Sequence, residues 1–305
     1  MYLIMSEKRS VKIGDPAPDF AFLTLDGKEI RLSEYRGKRV LLFIWASWCS
    51  CREQLADWQE FYREHKDGGV EIIGVAMDGQ GTAVVKPFIE QARVEFPVVV
   101  DSVDCLWSLL GFDFIPNGYY IDERGVIRYL KVGGFDVRDS INRKIIEDLV
   151  SDKWAKHPIR IHEKPKMSFQ KEVNELKRQV KASTRGFEKR LRMCELLVKT
   201  DQYKKAMREY DAILAAQPKN TRALFARGAV ALRLRKIQEA LSFWRRAFSL
   251  EPNNWVIRKQ LWALEYPERF YPSIDHNWQN EQIRRDELLA EAESKPRPKA
   301  KAHRI

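Results

Sequence analysis

The chain of 305 residues contains no window of about 18 consecutive apolar residues, which excludes a membrane-spanning helix. Its first residues, MYLIMSEKRS, lack leading positive charges and an adequate apolar core. They make a poor secretory leader, so a cytoplasmic location is expected. Cysteine is scarce: four residues cannot build a disulfide framework in a chain of this size. The five histidines, at 65, 157, 162, 276 and 303, fall at no metal-ligand spacing from a cysteine pair. No metal and no cofactor are expected. The basic tail KPRPKAKAHRI has no interleaved aromatics, so no nucleic-acid partner is expected.

An ordinary apolar fraction of 44% is present, enough for a sizeable core, and the length suits about two domains. The net charge of +11 is unevenly spread. Residues 1–160 hold 22 Lys+Arg against 25 Asp+Glu, and residues 161–305 hold 32 against 18. The basic character therefore belongs to the second half, where solvated helix faces account for it more simply than an acidic ligand.

The first half alternates strand and helix signals. RVLLFIWA (39–46) and VEIIGVAMD (70–78) are continuous apolar runs of the length of strands buried on both faces. Residues 51–66 carry apolar side chains at 55, 58, 61 and 62, a helical stripe ended by Gly68–Gly69. A helix over 82–93, a strand at 96–101 and a short helix at 105–112 follow. Two strands, 117–122 and 125–134, joined by a DERG turn, and a closing helix at 140–150 complete the half. This order predicts an α/β fold, a central mixed sheet flanked by helices.

Strand signals stop after residue 155. Residues 156–167 are expected to be a linker, 168–282 a helical domain and 283–305 a charged tail. Within the helical part Ala206, Tyr210 and Pro218 recur 34 residues later as Ala240, Trp244 and Pro252, with Cys194 matched by Gly228. That period resembles the tetratricopeptide repeat, with two units at about 187–220 and 221–254 and a covering helix at 255–266. The resemblance implies an all-α domain that binds a protein partner in a concave groove, with self-association an equal alternative. Glu188, Leu191, Glu195, Arg222, Phe225 and Ala229 are the expected groove-facing positions. The aromatic, proline-containing stretch 265–282 is expected to cap the last helix face.

Near residue 50 the chain reads FIWASWCSCREQ, a buried strand running into Trp48, Cys49, Ser50, Cys51 and Arg52. Together with the opening GDPAPDF, the segment LDGKEIRLSEYRGK and the later IPNGYYIDERG, it resembles the TlpA/ResA group of thiol–disulfide oxidoreductases, within the thioredoxin and redoxin superfamily. The resemblance spans about residues 11–150 and implies a thioredoxin-like domain, at 11–155, acting on protein thiols or disulfides. It implies that Cys49 is the nucleophile, that Cys51 is the resolving thiol, and that Ile115 and Pro116, at the family's cis-proline, present substrate beside Trp48.

Two departures matter. The family has Cys-x-x-Cys, whereas here one residue separates the cysteines. The spacing downstream favours a deletion inside the motif over replacement of the second cysteine by Arg52. A Cys-x-Cys disulfide closes a smaller ring and needs a non-helical or strained backbone, so a readily reduced pair is expected. Where the family often has a glutamate for proton transfer, this chain has Gln54, leaving Glu53 as the neighbouring candidate. At a helix start, the unpaired N–H groups and Arg52 are expected to favour the Cys49 thiolate.

Three alternatives stay open. A peroxiredoxin-like peroxidase shares the opening pattern but not the Pro-x-x-x-Thr/Ser-x-x-Cys motif. Soft-metal binding by the two thiolates lacks a third ligand. A redox-inactive adaptor would use the first domain only as a scaffold. Cys105 is expected to be a packed residue that becomes a resolving thiol only if its helix moves, and Cys194 to be structural.

Overall fold

The computed structural model describes residues 11–103, 105–112, 114–151, 168–181 and 186–294. They fall into two compact units, one reaching to Glu265 and one beginning at Tyr266.

In the first unit the charge-free run after Arg39 forms β3 (Arg39–Trp45), buried at all its positions. It can be buried on both faces because strands flank it and helices cover it. A two-stranded antiparallel ribbon, β1 (Ala21–Leu23) and β2 (Glu29–Arg31), precedes it. β4 (Val70–Ala76), β5 (Val98–Val100), β6 (Asn117–Ile121) and β7 (Ile127–Val132) complete a five-stranded sheet in the order β5-β4-β3-β6-β7. β3, β4 and β5 run parallel, while β6 and β7 are antiparallel to their neighbours. Four helices belong to this half: α1 (Leu55–His65), α2 (Thr82–Ala92), α3 (Cys105–Leu110) and α4 (Ser140–Val150). The mixed sheet with helices is the expected α/β architecture.

The register brings three chain reversals to one end of the sheet. Trp45 pairs with Ala76 and Ala76 with Val100, so residues 46–49, 77–81 and 101–103 all leave from the same edge. Ile44 pairs with Asn117, which places residues 115 and 116 there too.

The helix expected from residue 51 starts later. Residues Ser50–Gln54 form a 3-10 turn, with the Arg52 N–H on Cys49 O at 3.1 Å, and α1 begins at Leu55. The tighter turn lets the chain swing from extended Cys49 into the helix.

The helical region comprises α5 (Phe169–Lys181), α6 (Phe187–Lys199), α7 (Tyr203–Ala216), α8 (Thr221–Arg233), α9 (Ile237–Leu250) and α10 (Trp255–Glu265). The two 34-residue units are the α6–α7 and α8–α9 pairs. The recurring positions explain themselves: Ala206, Tyr210, Ala240 and Trp244 are fully buried. A methyl group on Gly228 would lie 2.5 Å from the Trp244 ring, so the helix crossing demands glycine there.

Four of the six expected groove positions are covered, Arg222 is half-buried and Glu188 is exposed. Leu191, Glu195, Phe225 and Ala229 are buried. Residues of this face bind the α/β half instead: Glu195 Oε2 accepts from Cys105 Sγ at 3.1 Å, and Arg222 pairs with Glu195. Lys199 donates to Ala21 O and lies 3.7 Å from the Phe22 ring centre. Glu172 bridges Arg31, at 3.0 Å, and Arg192, at 3.2 Å. Burial of apolar surface between the halves competes with capture of an outside ligand, and sequence periodicity carries no information about which occupies the groove.

The second unit holds a 3-10 turn at Pro267–Arg269 and α11 (His276–Ser294). Tyr266 and Phe270 pack on Trp278, with ring centres 5.0 and 6.5 Å apart. α11 runs through the boundary expected at 282/283, so residues 283–294 are helix rather than free tail. The expected linker at 156–167 lies outside the described residues. Among the described residues no helix is long and apolar enough to cross a membrane.

Candidate active site

β3 ends in Trp45, the chain turns at residues 47–48 with the Cys49 N–H on Ala46 O at 3.2 Å, and Cys49 itself is extended, with φ and ψ of −112° and 141°. Cys49 caps the 3-10 turn: its Sγ accepts the Cys51 N–H at 3.3 Å. Cys49 is thus extended and Cys51 lies in the 3-10 turn, so the two do not share a continuous α-helix. That arrangement lets residues i and i+2 meet, which a continuous helix does not allow.

The two thiols are unequal. Cys49 keeps 7% of its surface exposed and Cys51 2%. The Cys51 thiol donates to Cys49 and so lowers the Cys49 pKa; the Cys51 N–H and the Lys259 ammonium act in the same sense, against burial and the Asp78 carboxylate. Cys51 is pushed well up, first by burial and then by the hydrogen bond and charge of Cys49. The shifts are opposite in sense: Cys49 gives up its proton more readily than a free thiol and Cys51 far less readily, the division of labour a nucleophile and a resolving thiol require.

Arg52 takes a different post from the one expected. Its Nη1 donates to Ser47 O at 2.6 Å and its guanidinium lies 4.5 Å from the Phe88 ring centre. It braces the reversal before the cysteines and lowers the pKa of Asp78; the cation acting on Cys49 is Lys259. Glu53 is exposed, makes no hydrogen bond to either thiol, and its charge acts on Arg138. Gln54 accepts from Trp58 Nε1 at 3.4 Å. Trp48 is buried, its Nε1 donating to Met77 O at 2.9 Å. The Ile115–Pro116 peptide is cis, and both residues are half-buried beside the exposed Phe114.

Sequence reasoning passed over two residues. Asp78 is buried and binds Ser47 twice: Oδ2 accepts the Ser47 N–H at 3.0 Å and Oδ1 the hydroxyl at 2.6 Å. Burial raises it to about 6, with Ser47, Arg233 and Arg52 opposing. Its signal was an acid ending the apolar run VEIIGVAMD. Lys259 had no signal, because 208 residues separate it from Cys51 and only the packing of α10 brings its charge to the site. Cys105 is buried apart from the pair, on Glu195, and burial followed by that carboxylate pushes its thiol up. Cys194 is likewise buried and raised. All four cysteines are free. Among the described residues no group of three or more His, Cys, Asp or Glu is arranged to hold a metal ion.

A paired-cysteine site at the carboxyl end of a central parallel strand, facing a cis-proline loop, defines a thioredoxin-like redox domain. The AhpC/TSA family matches residues 13–130, and the tetratricopeptide repeat matches residues 221–254. The thiol–disulfide oxidoreductase ResA of Geobacillus thermodenitrificans is 34% identical over 135 residues, 44% of this chain and 77% of that protein. ResA of Geobacillus kaustophilus is 35% identical over the same shares. Among solved structures, StoA from Bacillus subtilis is 25% identical, with a TM-score of 0.38, over 44% of this chain and 98% of that one. The chain belongs to the ResA-like thiol–disulfide oxidoreductase family, with a tetratricopeptide-like helical region that those relatives' matched segment does not reach.

Proposed function

We propose that this protein exchanges disulfides through Cys49-Ser50-Cys51. The observation that carries the reading is the unequal pair: Cys51 donates to Cys49 Sγ, leaving Cys49 the better thiolate and Cys51 the protonated reserve.

In the reducing direction, the Cys49 thiolate attacks one sulfur of a substrate disulfide. A mixed disulfide forms, the substrate S–S bond breaks, and the departing substrate thiolate takes up a proton. Cys49 no longer carries charge, so the interaction that held the proton on Cys51 is lost. Cys51 then gives up that proton and attacks Cys49 Sγ. The Cys49–Cys51 disulfide forms and the second substrate thiol leaves, two electrons having passed from the dithiol to the substrate. Run backwards, the same steps oxidise a substrate dithiol. Trp48, Ile115 and Pro116 border the path by which a substrate chain would be presented; Arg52 holds the loop rather than the reacting sulfur. Protein thiols or disulfides are the substrate class in this reading.

The test is equilibration in glutathione buffers, thiol trapping, and counting of labels by peptide mass. A reversible Cys49–Cys51 disulfide is expected, and Cys49→Ser is expected to lower exchange by roughly 10³-fold or more, to background. Two cysteines that never pair, or an undiminished Cys49→Ser variant, would remove the exchange mechanism.

Peroxide reduction is the second reading, favoured by the depth of Cys49: at 7% exposure its sulfur admits a small oxidant more easily than a protein disulfide. There the thiolate and a proton would reduce a peroxide to an alcohol or water, leaving a sulfenic acid. Cys51 would condense with it to the disulfide and release water. Peroxide consumption faster than disulfide exchange would select it.

A further inference from the structure

We propose that the helical half completes the redox centre from within the same chain, with α10 docked on the loop behind Cys49 and Lys259 acting as a positioning residue of the dithiol site. The proposal rests on the reading above only in taking Cys49 as the nucleophile.

The geometry runs through one continuous set of buried contacts. Ser47, two residues before Cys49, is tied to Asp78 by both its N–H and its hydroxyl. The next residue, Gly79, donates its N–H to Gln260 Oε1 at 2.6 Å, a buried hydrogen bond across 181 residues of sequence. Gly79 has no side chain because there is no room for one. A methyl group there would lie 2.7 Å from the Trp244 ring and 2.9 Å from Gln260 Oε1. Gln80 O accepts from Arg233 Nη1 at 2.9 Å. Residues from α8, α9 and α10 therefore grip three points of the loop whose first residue, Asp78, holds the reversal leading to Cys49.

Lys259 immediately precedes Gln260 on α10. It is half-buried and has no hydrogen-bond or ion-pair partner among the described residues. What its charge does reach is the thiol pair: it favours the anionic form of both Cys49 and Cys51. The groups facing Cys49 are then Cys51 on its own turn, Asp78 from the end of β4, and Lys259 from α10. Arg52 and Arg233 act on Asp78. Lys259 is the cation that the helical half adds, and the Gln260 bond fixes where it stands.

The consequence is a function for the helical region other than recruitment. Its inner face is occupied by its own α/β half, and its last helix sets the state of the nucleophile.

The test uses the full chain, reduced, with iodoacetamide as probe and Cys49 labelling followed by peptide mass from pH 5 to pH 10. Lys259→Gln is expected to slow Cys49 alkylation about three- to tenfold on the acid side and move the profile to higher pH. Lys259→Arg is expected to restore it, and Lys204→Gln, on an exposed face of α7, to leave it unchanged. Lys259→Met, which keeps the apolar stem, serves if the glutamine variant melts early. A profile unmoved in a folded Lys259→Gln or Lys259→Met protein, or one not restored by arginine, overturns the proposal. Alkylation reads the thiol rather than turnover. Loss of exchange with a Lys259-dependent profile would therefore defeat the proposed function alone, and exchange with an unmoved profile would defeat this inference alone.

Discussion

The helical half meets two cysteines of the α/β half and treats them in opposite ways. At Cys49 it brings a cation, Lys259, which favours thiolate. At Cys105 it brings a carboxylate, Glu195, whose Oε2 accepts from the thiol at 3.1 Å and whose charge, added to burial, keeps the proton on sulfur. Both thiols are largely or wholly buried, so burial alone would make both inert. The two hydrogen bonds from Cys51 are what set Cys49 apart first, and the opposite signs of Lys259 and Glu195 widen the difference. The two sites also differ in cost. Among the described residues Lys259 makes no hydrogen bond or ion pair, whereas Glu195 is enclosed by Arg222 and Arg192, which pull its carboxyl below the usual range against full burial.

The most disruptive way to break this contrast is at Glu195. Glu195→Ala leaves Arg222 and Arg192 without their shared carboxylate. It should destabilise the chain by about 3–5 kcal/mol, the usual consequence of removing one side of a buried ion pair. Urea unfolding measures this, and Cys105, still buried, should ionise at a lower pH than in the parent while Cys49 labelling stays as it was. A neutral effect on stability would mean the pair does not hold the halves together.

The next effect concerns Asp78, which opposes Lys259 at Cys49. Its pKa is raised from 3.8 in the unfolded chain to about 6 in the fold, so the native state binds more protons between those values. The contribution of Asp78 to stability is therefore full below pH 4, falls as pH rises through 6, and is flat above. A shift of about two units corresponds to about 3 kcal/mol. Asp78→Asn removes the titration while its amide oxygen still accepts the Ser47 N–H and its amide nitrogen donates to the hydroxyl. Thermal melts should show a flatter pH profile and a gain at pH 8. The Cys49 profile should move to lower pH, opposite to Lys259→Gln.

The smallest expected effect is at the clasp. Gly79→Ala pushes a methyl into Trp244 and Gln260 and should cost about 1–3 kcal/mol as overpacking. Hydrogen exchange should rise in α10 and in the loop 78–81 before it rises in β3. Uniform loosening instead would show that α10 and the loop open with the core rather than ahead of it.

Much of the fold was legible because it follows from periodicity. The buried run 39–45, the stripe Leu55, Trp58 and Phe61, the closing helix 140–150 and the 34-residue recurrence of Ala206/Ala240 and Tyr210/Trp244 are patterns of neighbours in sequence. The cysteine pair was legible for the same reason. Less visible was the 3-10 turn, because Ser50–Gln54 reads equally well as the first turn of an α-helix and only the reversal from an extended Cys49 demands the tighter winding. The cover over Leu191, Glu195, Phe225 and Ala229 was not legible for a different reason: the repeat pattern identifies a helix face but not what lies on it.

The sequence by itself determined that this is an α/β redox domain joined to tetratricopeptide-like helices, with Cys49 and Cys51 at the head of a turn. These are properties of local spacing and of apolar periodicity, which act over a few residues. The tertiary structure alone decided which charges the thiols feel. Asp78, Lys259 and Glu195 reach Cys49, Cys51 and Cys105 only through the packing of strand ends against helices. Electrostatic influence depends on distance in space and on the surrounding medium, and chain order specifies neither.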